Sequence, residues 1–226
     1  MKFLFKYATR GRPKWFKETL NLYYSMLSDE NEYEFIISLD DDDWTMHTPE
    51  MVIFLEGKPN LTYYYGAHKS KIAAINADME NRDFDILFLI SDDMIPVINN
   101  FDKIIVDLML KHFPDLDGAL HFNDGLIGKA KGGFKWDELI TLSIMGKKLY
   151  DYFGYIYHPA YKSFWCDKEF TFEVNRLKKV AQSSEIIVKH DWGKNGIDDV
   201  YKNGIEAGKN DKKTFDRRKK EGFPRV

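Results

Sequence analysis

Asp83-Phe84-Asp85-Ile86-Leu87-Phe88-Leu89-Ile90-Ser91-Asp92-Asp93-Met94-Ile95-Pro96 is the stretch around which this 226-residue chain is built. Five apolar residues in a row, Ile86 to Ile90, are too few for a membrane span and are bounded by polar residues. They read as a strand buried on both faces of a sheet. The strand delivers two adjacent carboxylates, Asp92 and Asp93, to its exit, and Pro96 is expected to stop it. Adjacent acids repel each other unless a cation or hydrogen-bond donors offset the charge, so the pair points to a divalent metal. In open α/β sheets ligands sit just beyond the carboxyl ends of the strands, which is where both acids fall.

Working outward, the chain before this strand alternates strand and helix. Phe3 to Ala8 reads as a strand broken only by Lys6, and it runs into Thr9-Arg10-Gly11-Arg12-Pro13. Glycine permits the turn and Pro13 opens a helix to about Ser28, with Phe16, Leu20, Tyr23 and Leu27 on its buried face. The guanidinium forks of Arg10 and Arg12 suit a diphosphate, or simply face solvent. Tyr33 to Leu39 is a second strand, and four acids, Asp40 to Asp43, follow it. A run of four acids is usually a solvated loop, so only Asp40, first past the strand, is taken as a ligand contact. Thr48 caps a helix that Pro49 begins and Gly57 ends, Leu61 to Tyr65 is a short strand, and Ser70 to Met79 reads helical. Asn76 on that last helix either lies near a ligand or serves as a hydrogen-bonded structural amide.

Beyond the organising strand, Asn99 or Asn100 is placed as the cap of a helix with Phe101, Ile104, Ile105, Leu108 and His112 on one face. Ala119 to Phe122 and Leu139 to Met145 read as strands, Lys147 to Phe153 as a short helix, and Gly128 to Gly133 as a basic loop. The loop Gly154 to Trp165 is dense in aromatic rings, which suit the C–H faces of sugars. Asp167 and Glu169 then open a helix with Phe170, Val174 and Leu177 on its buried face. Acids in such a first turn either stabilise the helix dipole or act as a catalytic base. Glu185 to Lys189 is a late strand, and His190 leaves it beside Asp191, as a structural histidine or a metal ligand.

Composition supports a folded α/β chain with a largely parallel sheet. Hydrophobic residues make up 44% and aromatics 15%, while a formal charge of −3 gives no field that favours nucleic acid or membranes. A single cysteine, Cys166, forms no internal disulfide and fits a reducing, cytoplasmic setting. Residues 1–195 form the expected catalytic domain and 196–226 a helical extension, with eight basic residues against three acidic ones from Lys209 onward.

Taken in order, these segments resemble the nucleotide-sugar glycosyltransferases of the GT-A fold, in particular their family 2. The resemblance covers about the first 190 residues. It implies a Rossmann-like, mostly parallel sheet flanked by helices, and transfer of a sugar, most simply from UDP, to an acceptor hydroxyl on a glycan or other molecule. Residue by residue it implies that Thr9, Arg12, Asp40, Asn76 and Asp92 border the nucleotide sugar. It places Mn²⁺ or Mg²⁺ on Asp93, with His190 as a further ligand, and makes Asp167 the base of an inverting reaction. Two positions depart from the family pattern. Ser91 stands where the first acid of the Asp-x-Asp motif belongs, and Cys166 replaces an acid before the base. The rival readings are a nucleotide- or carbohydrate-binding module without turnover, and a metal-dependent phosphohydrolase.

Overall fold

The computed structural model describes residues 1–125, 136–191 and 198–225. The basic loop 128–133 lies outside the described residues. A seven-stranded sheet runs through the chain in the order β3-β2-β1-β4-β7-β6-β8. Its strands are β1 (Lys2–Thr9), β2 (Glu32–Asp40), β3 (Leu61–Gly66), β4 (Ile86–Ile90), β6 (Ala119–Phe122), β7 (Ile144–Gly146) and β8 (Val180–Ser183). β5 (Met94–Pro96) and β9 (Val188–His190) form a separate antiparallel pair. The first four strands of the main sheet are parallel, β7 runs antiparallel to both β4 and β6, and β6 is parallel to β8. This is the largely parallel α/β sheet that the sequence implies.

Every side chain of β4 is buried, as expected of a strand covered on both faces. On one face Phe5 stacks on Phe35 at 4.8 Å between ring centroids and meets Phe101 edge-on. Helices α1 (Pro13–Met26) and α4 (Phe101–His112) cover that face through Phe16, Leu20, Tyr23, Ile105 and Met109. The other face packs beneath α3 (Lys71–Asn76), α5 (Lys147–Phe153) and α6 (Cys166–Arg176). Helix α2 (Pro49–Glu56) begins as expected, with the Thr48 hydroxyl accepting the Met51 N–H. The chain continues through α7 (Asp199–Ala207) and α8 (Asp211–Lys220). Among the described residues no helix is long and apolar enough to cross a membrane.

Several local expectations give way to tertiary contacts. The helix expected over Ser70 to Met79 stops at Asn76. The buried Lys6 ammonium takes the Ala77 carbonyl at 2.7 Å, and Asp78 turns left-handed (φ 62°) to meet Ser38 and Lys6. Only Ile144–Gly146 of the stretch 139–145 joins the sheet, because the Ile140 N–H is taken by Thr171 Oγ1 and the Thr141 hydroxyl by Asp124. Asn100 sits at the start of α4 in a left-handed conformation and caps nothing with its side chain. His112 is exposed and Met109 takes the buried position on that helix. Pro96 does not stop the chain's strand character, since Met94–Pro96 pairs with Val188–His190. The basic C-terminal helix is no purely solvated end: Asp211 and Arg218 are both buried.

Candidate active site

Strand register places the first acid. Tyr7 of β1 lies opposite Ile90 of β4, so two residues further along Thr9 comes level with position 92, on the same face as Tyr7. The Asp92 carboxylate accordingly accepts hydrogen bonds from Tyr7 Oη (2.7 Å) and Thr9 Oγ1 (3.1 Å). Its own carbonyl accepts from Thr19 Oγ1 of α1 at 2.9 Å. Burial pushes its pKa up to about 6, against the two hydroxyl donors and the Arg12 guanidinium 3.9 Å away.

Asp93 faces the other way. Burial pushes its carboxyl up, but His190 and the Ser91 hydroxyl (2.5 Å) outweigh that and hold it well below the usual carboxylate range. The β5–β9 pairing is responsible for the histidine, because Met94 lies opposite His190 and the Asp191 N–H donates to the Asp93 carbonyl at 2.7 Å. The ring Nε2 of His190 stands 3.6 Å from Asp93 Oδ2. A carboxylate oxygen and an imidazole nitrogen held side by side form a donor pair suited to Mn²⁺ or Mg²⁺, which commonly rely on one or two protein ligands and complete their shell with phosphate oxygens and water. Among the described residues no cluster of three or more His, Cys, Asp or Glu side chains forms an all-protein cage.

The two arginines of the first turn are both spent on carboxylates of the chain. Arg10 bonds Asp40 at 2.7 Å and also Asp42, while His68 Nδ1 meets the second Asp40 oxygen at 2.8 Å. Arg12 forms a fork-to-fork pair with Asp198, which also caps α7. Asp43, expected in a solvated loop, is buried, and it accepts the Gly11 N–H at 2.6 Å. Gly11 has φ +69° and lies so close to α7 that a Cβ there would stand 2.7 Å from Val200 Cγ2. Asp198 was invisible to sequence reasoning, since nothing local couples position 198 to position 12.

Asn76 carries the structural half of its expected roles. Its Nδ2 donates to the Tyr157 carbonyl (2.6 Å), and its Oδ1 accepts from the N–H groups of Ile156 (3.0 Å) and Tyr157 (3.2 Å). The amide thereby anchors the aromatic loop to α3. That loop ends at Trp165, left-handed at φ 68°, and α6 starts beneath it. Asp167 is half-buried, accepts the Lys168 N–H through one oxygen (2.8 Å) and accepts no hydrogen bond through the other among the described residues. Burial raises its pKa, opposed by that N–H and by the charge of Lys71. Lys71 also lowers the pKa of Asp93, so one exposed ammonium at the start of α3 lies within electrostatic reach of both carboxylates. A surface lysine beside a capping serine carries no sequence signal for this. Glu169, the competitor for the base, is buried and occupied by Arg218 and the Tyr161 hydroxyl.

A parallel ladder with a reversed strand beside it, and acids gathered at its carboxyl edge, is the architecture of GT-A glycosyltransferases. Residues 1–349 of S. aureus TarS share it at a TM-score of 0.65 and 17% identity, over 84% of this chain and 60% of that one. The same TarS piece solved with UDP-GlcNAc aligns at 0.64. A mannosyltransferase from Pyrobaculum calidifontis, solved with GDP-Man and Mn²⁺, aligns at 0.66 and 13% identity over 86% of this chain and 58% of that one. The chain thus spans about 60% of the length of these neighbours, and at such identities the likeness establishes the fold. No family model and no curated protein sequence matches the chain.

Proposed function

We propose that the chain is a glycosyltransferase that moves a sugar from a nucleoside diphosphate, most simply UDP, to an acceptor hydroxyl. The observation that carries this reading is the pairing of Asp93 with His190 just past the carboxyl end of β4, with Lys71 within electrostatic reach of Asp93 and Asp167. Proteins with this fold have been solved with UDP, with UDP-GlcNAc, and with GDP-Man and Mn²⁺, which supports the reading.

Asp93 and His190 would hold Mn²⁺ or Mg²⁺, which when bound offsets the negative charge of the departing diphosphate. Lys71 adds a protein cation on the same side. Asp167 takes the proton of the acceptor hydroxyl as the new bond from that oxygen to the anomeric carbon forms and the bond to the diphosphate oxygen breaks. Direct displacement inverts the anomeric centre. Thr9, Asp92 and Asp40 line the donor side in this reading, and Arg12 reaches a phosphate by leaving Asp198. Asn76 contributes by fixing the aromatic loop that positions donor and acceptor.

Incubating purified protein with a panel of UDP- and GDP-sugars, with and without Mn²⁺, and scoring nucleoside diphosphate release tests the proposal. Metal-dependent release that Asp93→Ala abolishes is the expected result. Equal release in EDTA removes the metal role. Donor binding without any release identifies a binding module, and inorganic phosphate released without acceptor identifies a phosphohydrolase.

A further inference from the structure

The main sheet ends on two edges that are built differently. At one end β8 is only four residues long and is flanked by Lys178, Lys179 and Glu185. Short length and charge are the ordinary guards of a sheet edge against pairing with another chain. At the other end β3 is six residues long and reads Leu61-Thr62-Tyr63-Tyr64-Tyr65-Gly66, with no charge, no proline and an unbroken register against β2. Tyrosine and threonine are strong strand formers. Nothing in the sequence of β3 guards its outer edge.

Hydrogen bonds to β2 fix which groups that edge presents. The Asn60 carbonyl accepts from the Phe35 N–H at 2.8 Å and the Gly66 carbonyl from the Asp41 N–H at 3.1 Å, so even-numbered residues turn their backbone polar groups towards β2. With the strand's period of two, Leu61, Tyr63 and Tyr65 turn theirs outward, and no described strand pairs with them. Uncovered apolar surface lies around them. Trp44 and Ile53, at 77% and 70%, are the most exposed large hydrophobic side chains among the described residues. Trp44 stacks on His47, which stacks on Tyr65 at 4.2 Å, so the indole is held at the end of the edge strand. Ile53 lies on α2, whose Glu56 accepts the Tyr63 hydroxyl at 3.4 Å. The other charge beside the strand, Arg82, donates to Tyr64 Oη and to Glu34.

We propose that the outer edge of β3 pairs antiparallel with β3 of a second copy of the chain, across a two-fold axis through Tyr63. The outward residues are symmetric about position 63. Tyr63 then faces its own copy and Leu61 faces Tyr65, so each outward N–H and C=O finds a partner, while Thr62 faces Tyr64 between them. All of these pairs are uncharged, and aromatic and β-branched side chains set opposite each other favour pairing. A foreign strand would have to match this pattern, whereas the chain's own strand supplies it. Because the paired strands run in opposite directions, the carboxyl edges of the two sheets lie at opposite ends of the dimer. The pairing therefore does not rest on the transferase reading.

Sedimentation of the full chain from about 1 to about 300 μM tests the proposal, since mass action drives a dimer up with concentration. The expected result is a monomer–dimer equilibrium. Tyr63→Lys and Tyr63→Glu each place like charges face to face and raise the dissociation constant at least about tenfold, with an unchanged melting midpoint of the monomer. Mixing the two variants restores the dimer. Thr62→Cys and Tyr64→Cys test the register independently of position 63: mild oxidation cross-links a mixture of the two, whose Cα atoms stand about 4.5 Å apart across the pairing, and neither one alone. A monomer at every concentration overturns the proposal and leaves the edge to a strand of another protein. A dimer indifferent to both charges at position 63, or a mixture that forms no cross-link, overturns this edge as the interface.

Discussion

Asp92 and Asp93 are consecutive carboxylates with opposite electrostatics, and the difference is a matter of partners. Asp92 enters the sheet's interior and meets only neutral hydroxyls within hydrogen-bond distance, so burial dominates and its pKa rises to about 6. Asp93 meets His190 and is held ionised. Because the folded value for Asp92 exceeds the unfolded value near 3.8, the folded state binds the extra proton, and the group's contribution to stability is lost as pH rises from about 4 to 6. A shift of about two units corresponds to about 2–3 kcal/mol. Asp92→Asn should therefore gain stability over the wild type as pH rises through that window, measured as the difference of urea unfolding free energies. A constant difference from pH 4 to 7 would show that Asp92 is not the titrating group. The raised Asp167 pKa shifts the acid limb of the proposed reaction upward, because burial disfavours the charged carboxylate. Asp167→Asn should lower kcat by about 10²–10⁴ with donor affinity retained.

At the scale of elements, α6 owes its position to α8 as much as to the sheet. Glu169 Oε2 and Oε1 accept from Arg218 Nε (2.8 Å) and Nη2 (2.7 Å), with both side chains buried, and Tyr161 Oη adds a third bond. Two residues before Glu169 stands the proposed base. Arg218→Ala should destabilise the chain by about 3–5 kcal/mol in chemical denaturation, because it leaves a buried carboxylate unpaired. Arg218→Met combined with Glu169→Leu should recover most of that loss, since no charge is then stranded. If the single variant costs less than about 1 kcal/mol, the pair is solvated in solution and does not set the helix.

For the molecule as a whole, the segment after residue 197 joins both halves of the site. Asp198 holds Arg12 beside the first strand, and Asp211 accepts the N–H groups of Ser163 (2.8 Å) and Phe164 (2.9 Å) at the end of the aromatic loop. Phe223 is buried and packs against Phe172 and Phe215. We infer that residues 198–225 stabilise the sheet they pack against. A chain ended at residue 197 should melt lower by on the order of 10 °C, since several kcal/mol of buried contacts are lost. An unchanged melting midpoint would mark the segment as detachable.

Periodicity and punctuation in the sequence were sufficient for the sheet's first half. β4 is a purely apolar run, Pro49 and Gly57 bracket α2, and Pro13 opens α1, because these signals act over a few residues and need no distant partner. The acids at strand exits likewise marked Asp92 and Asp93 as candidates, since a parallel ladder carries strand ends to one edge, whereas Asp167 was marked by its place in the first turn of α6 and by the family resemblance. Nothing local announced β8, the early end of α3, or the hold of Asp198 on Arg12 and of Arg218 on Glu169. Those outcomes depend on pairs far apart in the chain, whose hydrogen bonds and burial are realised only after the sheet has brought them together. The sequence alone therefore determined which residues are candidates for the chemistry, and the tertiary structure decided which of them are held by side chains distant in the chain.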